Sequence, residues 1–343
     1  MSPKRPTIRD VAKAANVAPT TVSRVINNRG YISDETRQRV EAAISALNYI
    51  PNALSQSLRY QKTDTIALLV SDITNPFWTT FARGVEDVCW AHDLHVILCN
   101  TDEKDTKLAN YVQMLLQRQT DGFLLVPTGK HSDAVVDQIL QTYIPLVVVD
   151  RPIRGVRVDT VRSESEKGAY LLTNHLLSLG HRRIGILTGP PDIYTSKKRV
   201  EGYRLALQEA GIPVDEGMIL YGTFTAEGGY AMTETILADE HNRPTAIIAA
   251  QNFIAIGVVR ALRAAKLNVP DDLSIVSIDD LPFYTDANPF LTVVSQNPYA
   301  MGCGAAKLLI SRIENPQKEI QEIILPMEFR ERRSTARLQS NTT

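Results

Sequence analysis

Three short stretches within residues 7–49 place apolar residues three and four positions apart, which is the stripe of an amphipathic helix. The stripes are Ile8, Val11, Ala12 and Ala15, then Val22, Val25 and Ile26, then Val40, Ala43, Ile44 and Leu47. Thr7 and Ser33 precede the first and third stripes, and both are residue types that cap helix N-termini. Two short helices joined by a tight break, with a third completing their core, are typical of a helix-turn-helix DNA-binding unit. A three-helix bundle with no DNA role would show the same stripes.

From Thr65 onward, short apolar runs alternate with helical patterns. The runs are rich in β-branched residues and apolar on both faces, as buried parallel strands are. They are Ile66–Val70, Val96–Leu98, Phe123–Val126, Leu146–Val149, Ile184–Leu187, Ala246–Ala249 and Ile275–Ile278. One helical pattern, Val200–Ala210, is expected to open at Arg199. The alternation forms two series, which predict an α/β body of two doubly wound parallel-sheet lobes with a ligand cleft between them.

Charge separates the N-terminal stretch from the rest of the chain. Residues 1–63 hold ten Lys and Arg against four Asp and Glu, a net charge of +6, whereas the whole chain carries −1. A basic head on an acidic body favours a polyanion as the partner of the head. The outward positions of the second helix carry hydrogen-bonding side chains, namely Thr20, Thr21, Arg24 and Asn27.

Composition argues against several other classes of protein. Three widely spaced cysteines and six histidines show no disulfide framework and no metal-ligand spacing, so no metal is expected. Neither a signal peptide nor an apolar run of about 18 residues occurs, which predicts a cytoplasmic protein with no membrane span. The chain lacks a P-loop and a dinucleotide-binding glycine pattern, so no cofactor is expected. An α/β enzyme would need a nucleophile–base or metal constellation that the sequence does not offer.

Polar or aromatic side chains follow several of the predicted strands, where a sheet itself needs only apolar ones. Ligands of such sheets bind beyond the carboxyl ends of strands. Sugar hydroxyls need donors and acceptors, vicinal hydroxyls suit carboxylates and guanidinium forks, and flat sugar faces pack on aromatic rings. The candidate effector-binding residues are Asn75, Phe77, Trp78, Asp150, Arg151, Arg199, Phe224, Asn252, Asp279 and Gln296. Taken singly, each also suits a helix cap or a turn.

Several segments together resemble the lactose-repressor/galactose-repressor family of bacterial transcription regulators. They include TIRDVAKAANVAPTTVSRVINN in the head and IALLVSDITNPFW, LGHRRIGILTG and VPDDLSIVSIDD in the body. The resemblance implies a helix-turn-helix domain over 1–49, a hinge helix and linker over 50–63, and an effector-binding and dimerisation domain over 64–337. The end, 338–343, is expected to be a polar tail. The implied body is a periplasmic-binding-protein type I fold, with one lobe at about 64–163 and 296–324 and the other at about 164–295 and 325–337.

The resemblance also implies roles for individual head residues. Pro19, Thr20 and Arg24 occupy base-reading positions, whereas Thr21, Ser23 and Asn27 anchor phosphates. Leu58 stands at the position of the hinge wedge that kinks the duplex from the minor groove, with Arg59 beside it. A homodimer on a pseudo-palindromic operator follows from this arrangement.

The ten cleft candidates match positions of the ribose-binding periplasmic proteins, so we expect a pentose or similar monosaccharide as the effector. A purine or a phosphosugar stays open. One departure lies at the lobe crossing, where Ser163 and Glu164 stand in place of the usual Asp and Asn. The sequence thus predicts a DNA-binding transcription regulator, a repressor controlled by a small molecule. A sugar-binding receptor without a DNA role is the alternative from another class.

Overall fold

The computed structural model describes residues 6–50, 62–129, 132–239, 242–281 and 289–338. The chain divides into two compact units, residues 1–63 and residues 64–343. Within the first unit, the three predicted helices form as α1 (Ile8–Ala15), α2 (Pro19–Ile26) and α3 (Asp34–Ala46). The helices enclose a small apolar core built around Val11, Val22 and Val40. Leu58 and Arg59 lie outside the described residues.

Local hydrogen bonds fix where the head helices begin. The Thr7 backbone N–H donates to Asp10 Oδ2 over 2.8 Å, which ties the first turn of α1 to its cap. Asn16 ends α1 in the left-handed conformation with φ of 51°. Pro19 then opens α2, a position where its missing N–H costs nothing. The turn between α1 and α2 therefore spans only three residues.

The first lobe of the second unit is a six-stranded parallel sheet in the order β11-β5-β4-β3-β1-β2. Its strands are β1 (Thr65–Val70), β2 (His95–Asn100), β3 (Gly122–Leu125), β4 (Leu146–Val149), β5 (Asp159–Ser163) and β11 (Glu322–Leu325). Helices α4 (Pro76–Trp90) and α11 (Pro298–Glu314) cover one face, and α5 (Asp105–Gln117) and α6 (Ser132–Leu140) cover the other.

The second lobe is a six-stranded sheet in the order β12-β10-β9-β8-β6-β7. Its strands are β6 (Ile184–Thr188), β7 (Ile219–Tyr221), β8 (Ala246–Ala249), β9 (Ser274–Ile278), β10 (Thr292–Ser295) and the antiparallel β12 (Glu328–Arg330). A 3₁₀ turn, Glu216–Met218, precedes β7. One face carries α7 (Ser165–Ser178) and α8 (Tyr194–Glu209), and the other carries α9 (Ala226–Leu237) and α10 (Asn252–Ala264).

The chain passes between the two sheets three times. It leaves the first sheet after β5, returns after β10, and crosses again between β11 and β12. Each lobe is thus completed by segments that are distant in sequence. A change in the angle between the lobes must be absorbed by these three crossings, because they are the covalent links between the lobes.

The two helices that share one face of the first sheet, α4 and α11, lie very close together where each has a glycine. A Cβ atom on Gly84 of α4 would lie 2.3 Å from Tyr299 O, and one on Gly302 of α11 would lie 2.1 Å from Phe81 O. Both distances are impossible for real atoms, so α4 and α11 pack backbone against backbone at this point. The pair forms one closely packed layer over one face of the first sheet.

The fold class predicted from the sequence is confirmed, and several elements differ locally from the prediction. Helix α8 begins at Tyr194 and not at the predicted Arg199. The prediction missed its first turn because that turn is polar and carries no apolar stripe. β2 lies at a sheet edge and leaves Leu98 45% exposed, although its sequence predicted burial on both faces. β12 runs antiparallel in a lobe that was predicted to be all parallel.

Candidate functional site

A cavity of about 750 Å³ lies between the carboxyl ends of the strands of the two sheets. This volume falls within the range of roughly 300–1,000 Å³ that is usual for small-molecule sites. Nine of the ten predicted effector-binding residues line the cavity, and Asn252 is the exception. These side chains come from the loops after β1, β4, β7, β9 and β10 and from the first two turns of α4 and α8. The strand-end positions singled out in the sequence are therefore brought together by the topology.

Asn252 instead bonds to Asn75 across the two lobes. The two side-chain amides exchange reciprocal hydrogen bonds, each 3.0 Å long. Asn75 Oδ1 also caps α4 by accepting the Phe77 N–H at 3.0 Å, while Asn252 Oδ1 accepts the Phe253 N–H at 2.8 Å. Both side chains are almost fully buried. The pair joins the loop after β1 to the start of α10 and forms a polar contact between the lobes.

Asp279 and Gln296 form the polar floor of the cavity in the second lobe. Asp279 Oδ1 accepts the Gln296 backbone N–H at 3.0 Å, and its Oδ2 accepts from Gln296 Nε2 at 2.7 Å. Asp279 has a left-handed backbone with φ of 62°, which turns its side chain out of the line of β9. Burial raises the pKa of this carboxyl group, although the positive charge of Arg199 opposes the shift.

Asp150 and Arg151 occupy the corresponding place after β4. Arg151 uses both terminal nitrogens on Glu103, at 2.6 and 2.7 Å, and Nη1 also donates to Pro127 O at 2.9 Å. Burial alone would lower the pKa of Arg151, but Glu103 and Asp150 outweigh it and raise that pKa. Asp150 lies 3.6 Å from Arg151 Nε, and burial raises the pKa of its carboxyl group.

Arg199 projects from the second turn of α8 toward the same cavity. Its Nη1 donates to Ala250 O at 2.6 Å, which fixes the guanidinium against the end of β8. Burial lowers the pKa of Arg199 in spite of the negative charges of Asp150 and Asp279. Burial thus disfavours the charged forms of Asp150, Arg199 and Asp279. Such shifts concentrate at functional sites.

Aromatic rings provide the apolar surface of the cavity. Phe77 and Trp78 meet edge to face with ring centroids 4.8 Å apart. Phe224 lies over Gly189, where a Cβ atom would come within 2.2 Å of the ring. The guanidinium carbon of Arg151 lies 5.6 Å from the centroid of Phe224. The cavity therefore combines flat apolar faces with buried charged groups, as a site for an amphipathic ring requires.

Four buried polar atoms of the cavity have no hydrogen-bond partner among the described residues. Two are donors, Arg151 Nε and Arg199 Nε, and two are acceptors, Asp150 Oδ1 and Gln296 Oε1. Buried polar groups are almost always bonded, and an orphan in a cavity indicates a position that a ligand can satisfy. The pattern mixes donors with acceptors, which matches hydroxyl groups because each hydroxyl does both.

Several lining residues were not singled out in the sequence. The main one is Glu103, whose role depends on an ion pair with Arg151, 48 positions away. Asp72, Asp102, Asp105, Thr195 and Gln251 also line the cavity. Their positions after strands or in the first turn of a helix were the available signal, but caps and turns carry the same residue types. At the lobe crossing, Ser163 is buried while Glu164 bonds to Lys167 at 3.1 Å.

The second helix of the head exposes all three of the predicted base-reading residues to solvent. Pro19, Thr20 and Arg24 are exposed, and the Arg24 guanidinium makes no hydrogen bond or ion pair within the described part of the chain. Asn27 differs, because its Nδ2 donates to Ser23 O at 2.6 Å and so closes the end of α2. Thr21 and Ser23 are half-buried.

Two properties of the described residues bear on other classes of site. No group of three or more His, Cys, Asp and Glu side chains there has the arrangement of a metal site. Among the same residues, no helix has both the length and the apolar composition that a bilayer crossing requires.

A helix-turn-helix unit followed by two crossed α/β lobes around a polar cleft defines a class of protein that joins a DNA-binding head to a small-molecule sensor. Sequence comparison agrees for both units. The model for "bacterial regulatory proteins, lacI family" matches residues 7–52, and the model for "periplasmic binding protein-like domain" matches residues 173–335. The ribose operon repressor of Escherichia coli is 36% identical over 331 residues, covering 96% of this chain and 99% of that protein. The chain belongs to the lacI family of bacterial regulatory proteins.

Solved structures give the same result. A LacI-family regulator from Enterococcus faecium with bound ribose has a TM-score of 0.71 and 33% identity, covering 80% of this chain and 100% of that one. The lac repressor dimer bound to operator and an anti-inducer has a TM-score of 0.83 and 26% identity, covering 97% of this chain and 100% of that one. The family resemblance found in the sequence is confirmed.

Proposed function

We propose that this chain is a homodimeric transcription repressor whose affinity for a pseudo-palindromic operator is set by a small neutral sugar, with a pentose such as ribose as the first candidate. The observation that carries the effector class is the set of four orphan polar atoms, two donors and two acceptors, beside aromatic rings. A pentose offers hydroxyls that both donate and accept, together with a flat apolar face. The ribose-bound relative and the ribose operon repressor support this choice.

The proposed mechanism is a change in the angle between the lobes. A ligand that bonds to Asp150 and Arg199 at once contacts both lobes, since Asp150 follows β4 and Arg199 lies in α8. Binding would favour one lobe angle, and the Asn75–Asn252 contact would strengthen or break with it. By linkage, a ligand that prefers one lobe arrangement changes the DNA affinity of the state with that arrangement. The chain would act by binding alone, without catalysis, in the cytoplasm where its operator lies.

For DNA, we propose that Arg24 reads bases and that Leu58 wedges into the minor groove. Exposed Pro19, Thr20 and Arg24 would face the major groove, Thr21 and Ser23 would meet phosphates, and Arg59 would support the hinge. Asn27 Nδ2 already donates to Ser23 O, so the proposed phosphate contact of this amide would compete with that hydrogen bond. Replacing Arg24 by alanine should reduce discrimination between sequences by about 1–3 kcal/mol. A loss that is equal on all DNA would assign Arg24 to phosphate contact instead.

The effector is tested by calorimetry of the full chain with D-ribose, other pentoses, hypoxanthine and guanine. We expect a pentose to bind and to change the affinity for operator DNA measured by fluorescence anisotropy. Purine binding without pentose binding would replace the sugar by the purine alternative. Binding of a sugar with no change in DNA affinity would support the receptor alternative. For Leu58→Ala, we expect less DNA bending with unchanged effector affinity.

A further inference from the structure

Glu103 is the least expected residue of the cleft. It lies in the loop after β2 and has a left-handed backbone with φ of 54°, directly after Asp102 with φ of 50°. Such a conformation is strained for a residue with a side chain, and it persists where the surroundings hold it. Here the surroundings are the guanidinium of Arg151, which Glu103 contacts through both carboxylate oxygens at 2.6 and 2.7 Å.

This ion pair removes the guanidinium fork of Arg151 from the ligand. Nη1 is shared between Glu103 and Pro127 O, and Nη2 is bonded to Glu103. Nε is the nitrogen that makes no hydrogen bond in the described chain, although it lies 3.6 Å from Asp150 Oδ2. The Arg151 side chain is 7% exposed and that of Glu103 is 30% exposed, which places the pair at the inner wall of the cavity. A planar fork is the group that binds carboxylates and phosphates bidentately. With the fork occupied, the site cannot use it on an anion.

The remaining charges of the cavity point the same way. Two guanidinium groups, Arg151 and Arg199, share the lining with seven carboxylates, and one of the seven, Asp102, is paired with Lys107. The seven are Asp72, Asp102, Glu103, Asp105, Asp150, Asp192 and Asp279. The positive charge of Arg199 is already attracted by the negative charges of Asp150 and Asp279. An anionic ligand would therefore meet more carboxylates than cations, and like charges brought together in a binding site oppose binding. Space is not the barrier, because a cavity of about 750 Å³ can hold a sugar phosphate.

We propose that Glu103 is a specificity-determining residue, which occupies the Arg151 fork and so restricts the effector to neutral polyhydroxylated molecules at the expense of sugar phosphates and sugar acids. The proposal rests on the proposed function, since it specifies the ligand of the same cleft. It also removes the phosphosugar alternative that the sequence left open.

The test compares full-length wild type with Glu103→Gln, which keeps the shape and removes the charge. Calorimetry with D-ribose and D-ribose 5-phosphate should give binding of ribose to both proteins. In the wild type, the phosphate ester should bind at least about 100-fold more weakly than ribose, and Glu103→Gln should narrow this ratio by at least about tenfold. Glu103→Gly, which suits the left-handed backbone, repeats the test if the glutamine variant does not fold. Glu322→Gln is the matched control, because it breaks the exposed Arg162–Glu322 pair away from the cavity.

A second readout does not depend on the sugar. Inorganic phosphate should raise the melting temperature of Glu103→Gln above that of an ionic-strength control, and should leave the wild type and Glu322→Gln unchanged. The proposal is overturned if wild type binds ribose and ribose 5-phosphate equally well, if Glu103→Gln keeps the wild-type selectivity, or if phosphate stabilises the wild type as much as the variant. Failure of every pentose to bind would refute the proposed effector instead, and the phosphate measurement would still decide the role of Glu103.

Discussion

Asp279 and Asp159 are both buried aspartates, and their replacement by asparagine should change stability in opposite directions. Asp159 accepts from Arg312 Nε at 2.8 Å and Nη2 at 3.0 Å, and from the Gln321 backbone N–H at 2.8 Å. Asp279 accepts hydrogen bonds from Gln296, and its charge faces Arg199 without an ion-pair contact among the described residues. The first carboxylate is paired with a cation, whereas the second is held in a site that penalises its charge.

The magnitudes follow from what each substitution leaves behind. Asp159→Asn leaves the Arg312 charge opposite a neutral amide, and breaking a buried pair costs about 3–5 kcal/mol. Because the Arg312 side chain is 13% exposed, the lower end of that range is expected. Asp279→Asn removes the penalised charge, and the orphan Gln296 Oε1 becomes available to accept from the new amide after a side-chain flip. Single stabilising substitutions commonly give about 0.5–2 kcal/mol, and we expect a gain in this range.

The assay is urea unfolding of both variants and wild type between about pH 4 and pH 7. The lower limit lies close to the pKa of an ordinary aspartate, about 3.9, and the pKa of Asp279 is raised above that value. Burial raises the pKa of Asp279, so the folded chain holds this proton more tightly than the unfolded chain. The stability contributed by that proton is complete below the unfolded pKa and is lost as pH rises through the folded pKa. The advantage of Asp279→Asn over wild type should therefore be small in acid and largest at neutral pH.

The same variant should lose effector affinity. A hydrogen bond to a charged group is worth about 1.5–3 kcal/mol, so the Kd of the effector should rise roughly 10–150-fold. A protein that becomes more stable while binding less well would place Asp279 in the ligand site and outside the structural core. The reasoning is refuted if Asp279→Asn destabilises the chain as much as Asp159→Asn, or if its effect on stability does not change with pH.

Two further predictions concern packing and the contact between lobes. Gly302→Ala should lower the free energy of unfolding by about 1–3 kcal/mol, because the new Cβ meets Phe81 O. Gly304→Ala in the same helix should be neutral or stabilising in thermal unfolding, because its new Cβ makes only ordinary van der Waals contacts, 4.0 Å from the side chains of Ile323 and Val161. Asn252→Ala removes both hydrogen bonds to Asn75 and should increase the radius of gyration measured by small-angle scattering in the absence of effector; an unchanged radius would mean that this pair does not hold the lobes together.

The helices of the head could be predicted because their signals are local. Caps, a proline at the start of α2 and apolar stripes all fall within a few residues of the elements they define. The cleft could be predicted in outline for a related reason, since the carboxyl ends of parallel strands converge and polar residues there have no other structural need. Asp150 and Asp279 are the clearest examples, as each directly follows a buried apolar strand.

The features that the sequence did not reveal depend on contacts between residues that are far apart along the chain. Glu103 has no local pattern, and its role depends on Arg151 from another strand-end loop. Strand β5 contains Asp159, Arg162 and Ser163, so its polar sequence did not resemble a buried strand, although the sheet pairs it on both sides. The first turn of α8 is equally polar because Thr195 lines the cavity instead of the lobe core. A residue that lines the site therefore hides the start of α8, whereas β5 is hidden by side chains such as Asp159, which pairs with Arg312.

The electrostatics of the cleft also predict how effector binding depends on pH. Asp150 and Asp279 have pKa values raised by burial, so they take up protons at a higher pH than ordinary aspartates. A ligand whose hydroxyls donate to these carboxylates binds the charged form, which lowers their pKa in the complex. Affinity should therefore fall as the solution is acidified through the raised pKa values of the free protein. Calorimetry of wild type and Asp279→Asn tests this, because the variant should retain only the part of the pH dependence that belongs to Asp150. An affinity that is constant down to the ordinary aspartate pKa would mean that the effector does not bond to these carboxylates, and that their burial serves the lobes alone.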